Sequence, residues 1–213
     1  MSGVGPMSLL LAIALLMSNV YGSDLEGKEI LPRELAGVSL LTPLEGFEDQ
    51  LKLLKYPIAR ENTGHTNNGL PYHSFIVNSP IDQYRNFTYS FYQGKLYVIR
   101  AEYNTSSGIN FGQILSDLKE KFGEPYKVID RNSGVPLVLG LKAWTYCWKD
   151  DRTKLDLSYG APTRDPVLGR QTLAALNWTI IDESLQNEYK EEEKRLNPNI
   201  SKKQREQREQ WGC

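Results

Sequence analysis

NFTYSFYQGKLYVI (86–99) and AWTYCWKDDRTKLDL (143–157) carry one plan twice. After its first residue, each reads aromatic-Thr-Tyr-x-aromatic, breaks at a turn, and resumes as an apolar alternation. Period-two alternation on both sides of a short break is the pattern of a β-hairpin. With Gln93-Gly94 as a two-residue turn, Phe91 faces Leu96 and Tyr89 faces Val98. Phe87, Tyr89 and Phe91 then share one face, and Thr88, Ser90, Tyr92, Lys95, Tyr97 and Ile99 share the other. With Asp151-Arg152 at the second tip, Trp148 faces Leu155, Tyr146 faces Leu157 and Trp144 faces Tyr159. Thr145, Cys147, Lys149, Lys154, Asp156 and Ser158 lie behind them. The second tip region is longer by an even number of residues, which keeps the aromatic side in register.

The aromatics Phe87, Tyr89, Phe91, Trp144, Tyr146 and Trp148 read as core, because apolar burial is worth about 25 cal/mol per Å² and each ring covers a large area. An exposed platform for sugar or peptide is the competing reading, and the charged back of the second hairpin opposes it. The back of the first hairpin is less polar. Tyr92, Tyr97 and Ile99 there are either covered by another element, such as the terminal helix, or form an interaction surface.

Two helices precede the hairpins. In TPLEGFEDQLKLLKYP (42–57), Thr42 is placed as N-cap, Pro43 as the first helical residue and Glu45 as the capping-box partner. Leu44, Phe47, Leu51 and Leu54 follow at helical spacing, and Tyr56-Pro57 ends the segment. NFGQILSDLKEKFGEP (110–125) repeats the plan. Asn110 is the cap and Gln113 the box partner. Phe111, Ile114, Leu115, Leu118 and Phe122 form the stripe, Gly123 is the stop, and Pro125 follows. Strands are expected at 70–77, 126–130, 135–141 and 173–181, and a charged helix at 183–196.

These elements predict an α+β fold. Two pseudo-repeats of helix plus antiparallel strands, over about 37–103 and 108–181, form a sheet with helices on one face. A charged C-terminal helix follows within 182–213, where fifteen of thirty-two residues are charged, so it reads as a solvated helix with a frayed end or as a partner-binding tail.

The first 22 residues differ from the rest. Residues 9–17 are continuously apolar, and Val20-Tyr21-Gly22 fits a cleavage after Gly22. This reads as a secretory signal peptide, and the apolar run is too short to span a bilayer comfortably. The expected location is periplasmic or extracellular, with no transmembrane segment after cleavage. Cys147 and Cys213 are the two cysteines; an intramolecular bridge, free thiols and an intermolecular bridge all remain open.

Net charge is −1 and pI about 6.2, so charge gives no footprint for nucleic acid. The two histidines, His65 and His73, lie in ENTGHTNNGLPYH with Glu61, short of the three or four ligands a metal needs. No nucleophile elbow or phosphate loop occurs, and no cofactor is implied. Two Gly/Pro-rich loops, at 61–71 and 159–170, are the places where a rigid sheet would display binding residues; the second contains Arg164, Asp165 and Arg170. Asn-x-Ser/Thr triplets begin at Asn86, Asn104, Asn177 and Asn199.

The capped helix ending in K-F-G-E-P at 121–125, the hairpin aromatic Trp144 and the weaker first copy at 37–54 resemble a broad group of exported bacterial proteins. The arrangement is similar to the helix-on-sheet repeats of β-lactamase inhibitory protein and of SmpA/OmlA-type outer-membrane-assembly lipoproteins. The likeness covers roughly 37–181, lacks the lipid-attachment cysteine and transfers no functional residue. The expected function is a non-enzymatic, exported protein-binding module. Tyr92, Tyr97, Ile99, Arg164, Asp165 and Arg170 are its candidate binding residues, and another protein is its partner. A hydrolase using loop carboxylates and a small-ligand-binding protein are the alternatives.

Overall fold

The computed structural model describes residues 30–66, 69–104, 110–130, 143–162 and 174–198. The signal peptide, the 135–141 strand, Arg164, Asp165, Arg170, Asn199 and the end of the tail with Cys213 lie outside the described residues. In chain order the elements are β1 (Glu34–Leu35), β2 (Val38–Ser39), α1 (Phe47–Leu53), β3 (Ile58–His65), β4 (Pro71–Asn78), β5 (Tyr84–Tyr92) and β6 (Lys95–Tyr103). They continue with α2 (Phe111–Phe122), β7 (Lys127–Asp130), β8 (Ala143–Lys149), β9 (Thr153–Gly160), β10 (Ala175–Asp182) and α3 (Glu183–Leu196).

Eight strands form one antiparallel sheet in the order β3-β4-β5-β6-β10-β9-β8-β7, and β1 with β2 forms a separate two-stranded ribbon. Only three helices occur among the described residues. This overturns the expected α+β arrangement of helix-plus-hairpin repeats with the helices on one face. The molecule is mostly β, and the long sheet is its organising layer. A four-stranded meander runs inward from each edge, and the two join where β6 pairs with β10. At that seam Trp178 lies opposite Ala101 on one side and Leu157 on the other, and Trp178 is 2% exposed.

The first two helices each insert a few side chains into the core. Phe47 of α1 meets Phe75, Tyr89 and Phe91 with ring centroids 5.3, 5.2 and 4.8 Å apart. Ile114, Leu118 and Phe122 of α2 join the same cluster. The third helix, α3, packs against the opposite face, where Leu185 and Tyr189 meet Leu70, Tyr92 and Tyr97.

The second hairpin has the expected register: Trp148 opposite Leu155, Tyr146 opposite Leu157, Trp144 opposite Tyr159. The first departs from it. Gln93 and Gly94 do form the turn, both with positive φ (50° and 71°), as a tight hairpin requires. Phe91 pairs with Leu96, but Ser90 pairs with Val98 and Tyr89 with Ile99. Tyr97 is therefore an extra, bulged residue. The bulge turns Ile99 into the core, where it is fully buried beside Tyr89 and Ala101. Of the six expected core aromatics, Phe87, Tyr89, Phe91 and Trp148 are buried. Trp144 and Tyr146, opposite Asp130 and Val128 of β7, are half-buried. Tyr159 stacks on Trp144 and on Phe111 of α2.

The 42–57 helix also needs correction. It spans only Phe47–Leu53, with Gly46 in the left-handed region as its N-cap (φ 76°). Thr42 and Pro43 are extended and lie against the start of β6: Leu41 N–H donates to Leu96 O, Leu96 N–H to Thr42 O, and Leu44 N–H to Gly94 O. Backbone groups that a helix would have used are taken by the sheet. Pro43 lacks an N–H and fits such an edge. The second helix forms as read. Asn110 Oδ1 accepts from Gln113 N–H and Gly123 ends the helix. The Gln113 side chain does not complete a capping box and bonds Asp117 instead.

Candidate functional site

The site is built at the outer end of the sheet, from β3, β4 and the start of α1. Strand β3 pairs with β4 on one side only among the described residues. Seven of its eight residues are exposed, which leaves the outer row of backbone N–H and C=O groups to solvent. Its sequence, IARENTGH, has no hydrophobic alternation, because neither of its faces contributes to the core. A turn closed at Thr66 delivers the chain to β4: Thr66 N–H donates to Leu70 O, and Thr66 Oγ1 accepts from Leu70 N–H.

His73 and Phe75 lie on the inner face of β4. The His73 ring stacks on Phe75 at 4.9 Å and meets the edge of Phe91 at 6.2 Å. His73 Nε2 and Glu61 Oε1 of β3 are 2.7 Å apart. Across from them, the start of α1 presents Glu48 and Asp49. The Lys52 ammonium, 2.9 Å from Asp49, holds its carboxyl below the usual range. Leu44, Gly46, Glu48, Asp49, His73 and Phe75 line a depression of about 330 Å³ between helix and sheet. Gly46 has nothing within 4 Å of a built Cβ, so the rim is open there.

The arrangement offers an apolar floor from Phe75 and Leu44 and a carboxylate rim from Glu48 and Asp49, with Glu61 bonded to the lining His73. The Glu61–His73 pair fixes an imidazole, and nothing among the described residues extends it to a nucleophile. Among the described residues, no three His, Cys, Asp or Glu side chains group to hold a metal ion. His65 ends β3, exposed and opposite Pro71.

Of the residues singled out from the sequence, Tyr92, Tyr97 and Ile99 lie elsewhere. Tyr92 and Tyr97 are packed under α3, Tyr97 stacking on Tyr189 at 5.9 Å, and burial pushes the Tyr97 phenol up to about 12. Ile99 is on the other face, in the core. The three share no surface. Behind the second hairpin, Lys154 is nearly buried and bonds Gln186 of α3. Burial, followed by the nearby Lys190, lowers its pKa, while Glu183 opposes the shift. Lys149 Nζ sits 2.7 Å from Glu183 Oε1, so this polar face also anchors the helix. Cys147 is fully buried and disulfide-bonded; Cys213 is outside the described residues. The β3 edge and the Glu61–His73 pair escaped the sequence reading. Their one visible signal was the polar run 60–69, which reads equally well as a loop.

Fold and site together define an antiparallel β-sheet protein with an open, polar edge strand beside an acid-rimmed depression. The chain belongs to the TP0088 domain family, whose match covers residues 37–192 and so takes in every strand from β2 to β10. No curated protein and no solved structure matches it. No helix among the described residues is long and apolar enough to cross a membrane.

Proposed function

We propose that this chain is an exported, non-enzymatic protein-binding module that takes up an extended segment of its partner along β3. One observation carries the reading: β3 is an eight-residue edge strand with seven residues exposed. Most proteins blunt such an edge, because its unpaired N–H and C=O groups recruit other chains. Among the described residues, blunting is confined to the bulge between Ile58 and Arg60 and to the charges at Arg60 and Glu61. The stretch from Asn62 to His65 keeps regular pairing with β4 and adds only His65 as a titratable group. Main-chain pairing to an open edge supplies affinity, and side-chain pockets beside it supply specificity.

Export is supported by the apolar run at 9–17 with its cleavage pattern, and the disulfide at Cys147 suits an oxidising compartment.

The test uses proline. Successive residues of an edge strand point their N–H groups alternately inward and outward, so one of Asn62→Pro and Thr63→Pro removes only an outward donor. The variant that keeps the wild-type melting temperature is the probe. Wild-type protein should recover a stoichiometric partner from the exported fraction, and the probe variant should lose it. A partner held equally by both, or none under mild conditions, overturns the proposal.

A further inference from the structure

We infer that the segment docking on β3 carries an arginine or lysine on its inner-facing side, and that this side chain crosses β3 to end in the depression between α1 and β4. The inference rests on the reading of β3 as the docking edge and specifies the partner's chemistry.

Geometry selects a long side chain. A segment paired to β3 lies two strand spacings from β4, roughly 10 Å, so a short residue ends over β3 itself. Arginine and lysine have stems that pack on apolar surface while the charged head reaches further. The path is suitable: Thr63 and Glu61 face inward on β3, opposite His73 and Phe75. The depression beyond offers the Phe75 ring and Leu44 to the stem.

Charge selects the sign. Two carboxylates line the space, Glu48 and Asp49 on α1, and a third, Glu61 on β3, bonds the lining residue His73. Asp49 is matched by Lys52, and Glu61 holds His73. Glu48 forms no ion pair among the described residues, although it adds to the attraction on Lys52. A guanidinium or ammonium entering the depression meets Glu48 directly and Glu61 at its near rim. An acidic side chain would be repelled, and an aliphatic one would leave Glu48 without an ion pair.

The experiment is a selection from a phage-displayed library of random linear dodecapeptides on the mature protein, with fluorescence anisotropy on the enriched peptides. Enriched sequences should alternate β-branched residues and share one Arg or Lys. Replacing that residue by alanine should weaken binding about tenfold, the scale of a charge-assisted contact. Glu48→Gln and Glu61→Gln should each weaken the parent peptide about three- to tenfold and not the alanine peptide. Glu102→Gln, on the far face, should change neither. Peptides that bind, are blocked by the β3 proline variant and show no preference for a basic residue overturn this inference and leave the docking edge standing. Absence of enrichment, or binding insensitive to the proline variant, overturns both.

Discussion

Arg33 donates from Nη2 to Asp182 Oδ2 at 2.5 Å, across 149 residues of chain. The contact ties the segment entering β1 to the residue that ends β10 and caps α3, since Asp182 Oδ1 also accepts from Leu185 N–H. Arg33 reaches Arg152 O and Thr153 Oγ1 as well, and Leu31 N–H donates to Asp150 Oδ2. One end of the sheet is thus closed by the chain's first described residues, the β8–β9 turn and the start of α3.

Asp182→Ala removes both roles of a nearly buried carboxylate. Loss of the cap costs about 1 kcal/mol, and stranding the largely enclosed Arg33 raises the total to about 3 kcal/mol. Asp182→Asn keeps a cap acceptor and should cost less. Urea unfolding of the two variants against wild type checks the order, and equal losses would show that the cap contributes nothing and that the loss comes from the Arg33 contact alone.

The bulge at Tyr97 makes neighbouring residues differ sharply. Ile99→Ala should destabilise by about 2–4 kcal/mol, because the site is fully buried. Val98→Ala, half-buried on the other face, should cost under about 1 kcal/mol. An unbulged hairpin would reverse the two, so a pair of denaturation curves decides the register.

Gly94 holds φ at 71° in the turn and has nothing within 4 Å of a built Cβ. Gly94→Ala therefore pays only the left-handed backbone cost, about 1 kcal/mol, with no clash. A much larger loss in thermal denaturation would contradict the open turn.

Stability should fall at alkaline pH. Desolvation raises the phenols of Tyr84, Tyr89 and Tyr103, and takes Tyr97 to about 12. In the unfolded chain they ionise near pH 10. Between about pH 10 and 12 the native state therefore holds more protons than the unfolded one, and stability drops as pH rises. Below about pH 10 the contribution is fully present. Tyrosinate absorbance at 295 nm should lag the free amino acid until unfolding. In a Tyr189→Ala variant, which uncovers Tyr97, one phenol should titrate nearer its ordinary value. If the remaining phenols titrate as in wild type once the lost tyrosine is allowed for, α3 does not shield Tyr97.

The aromatic alternation at 143–157 was enough to fix that hairpin's register, because buried and solvent faces leave one pairing that hides Trp148, Leu155 and Leu157. Asn110 and Gly123 marked the ends of α2 for a similar reason, since caps act through backbone groups within a few residues. Strand β3 was illegible: an edge strand with both faces wet carries no hydrophobic period, and only its pairing to β4 makes it a strand. The first helix was overextended because the Thr42-Pro43 signal is local, whereas their backbone bonds come from β6, more than fifty residues on.

The sequence alone determined which residues were apolar, where two hairpins turned and how one helix was capped. All of these depend on interactions within about a dozen residues. The tertiary structure decided that two meanders join at β6 and β10 into one sheet, that a single bulged tyrosine moves Ile99 into the core, and that α3 covers Tyr92 and Tyr97. It also brought Glu61 to His73 and set Glu48 beside them. These are long-range pairings selected by the burial of the whole core, and no local pattern encodes them.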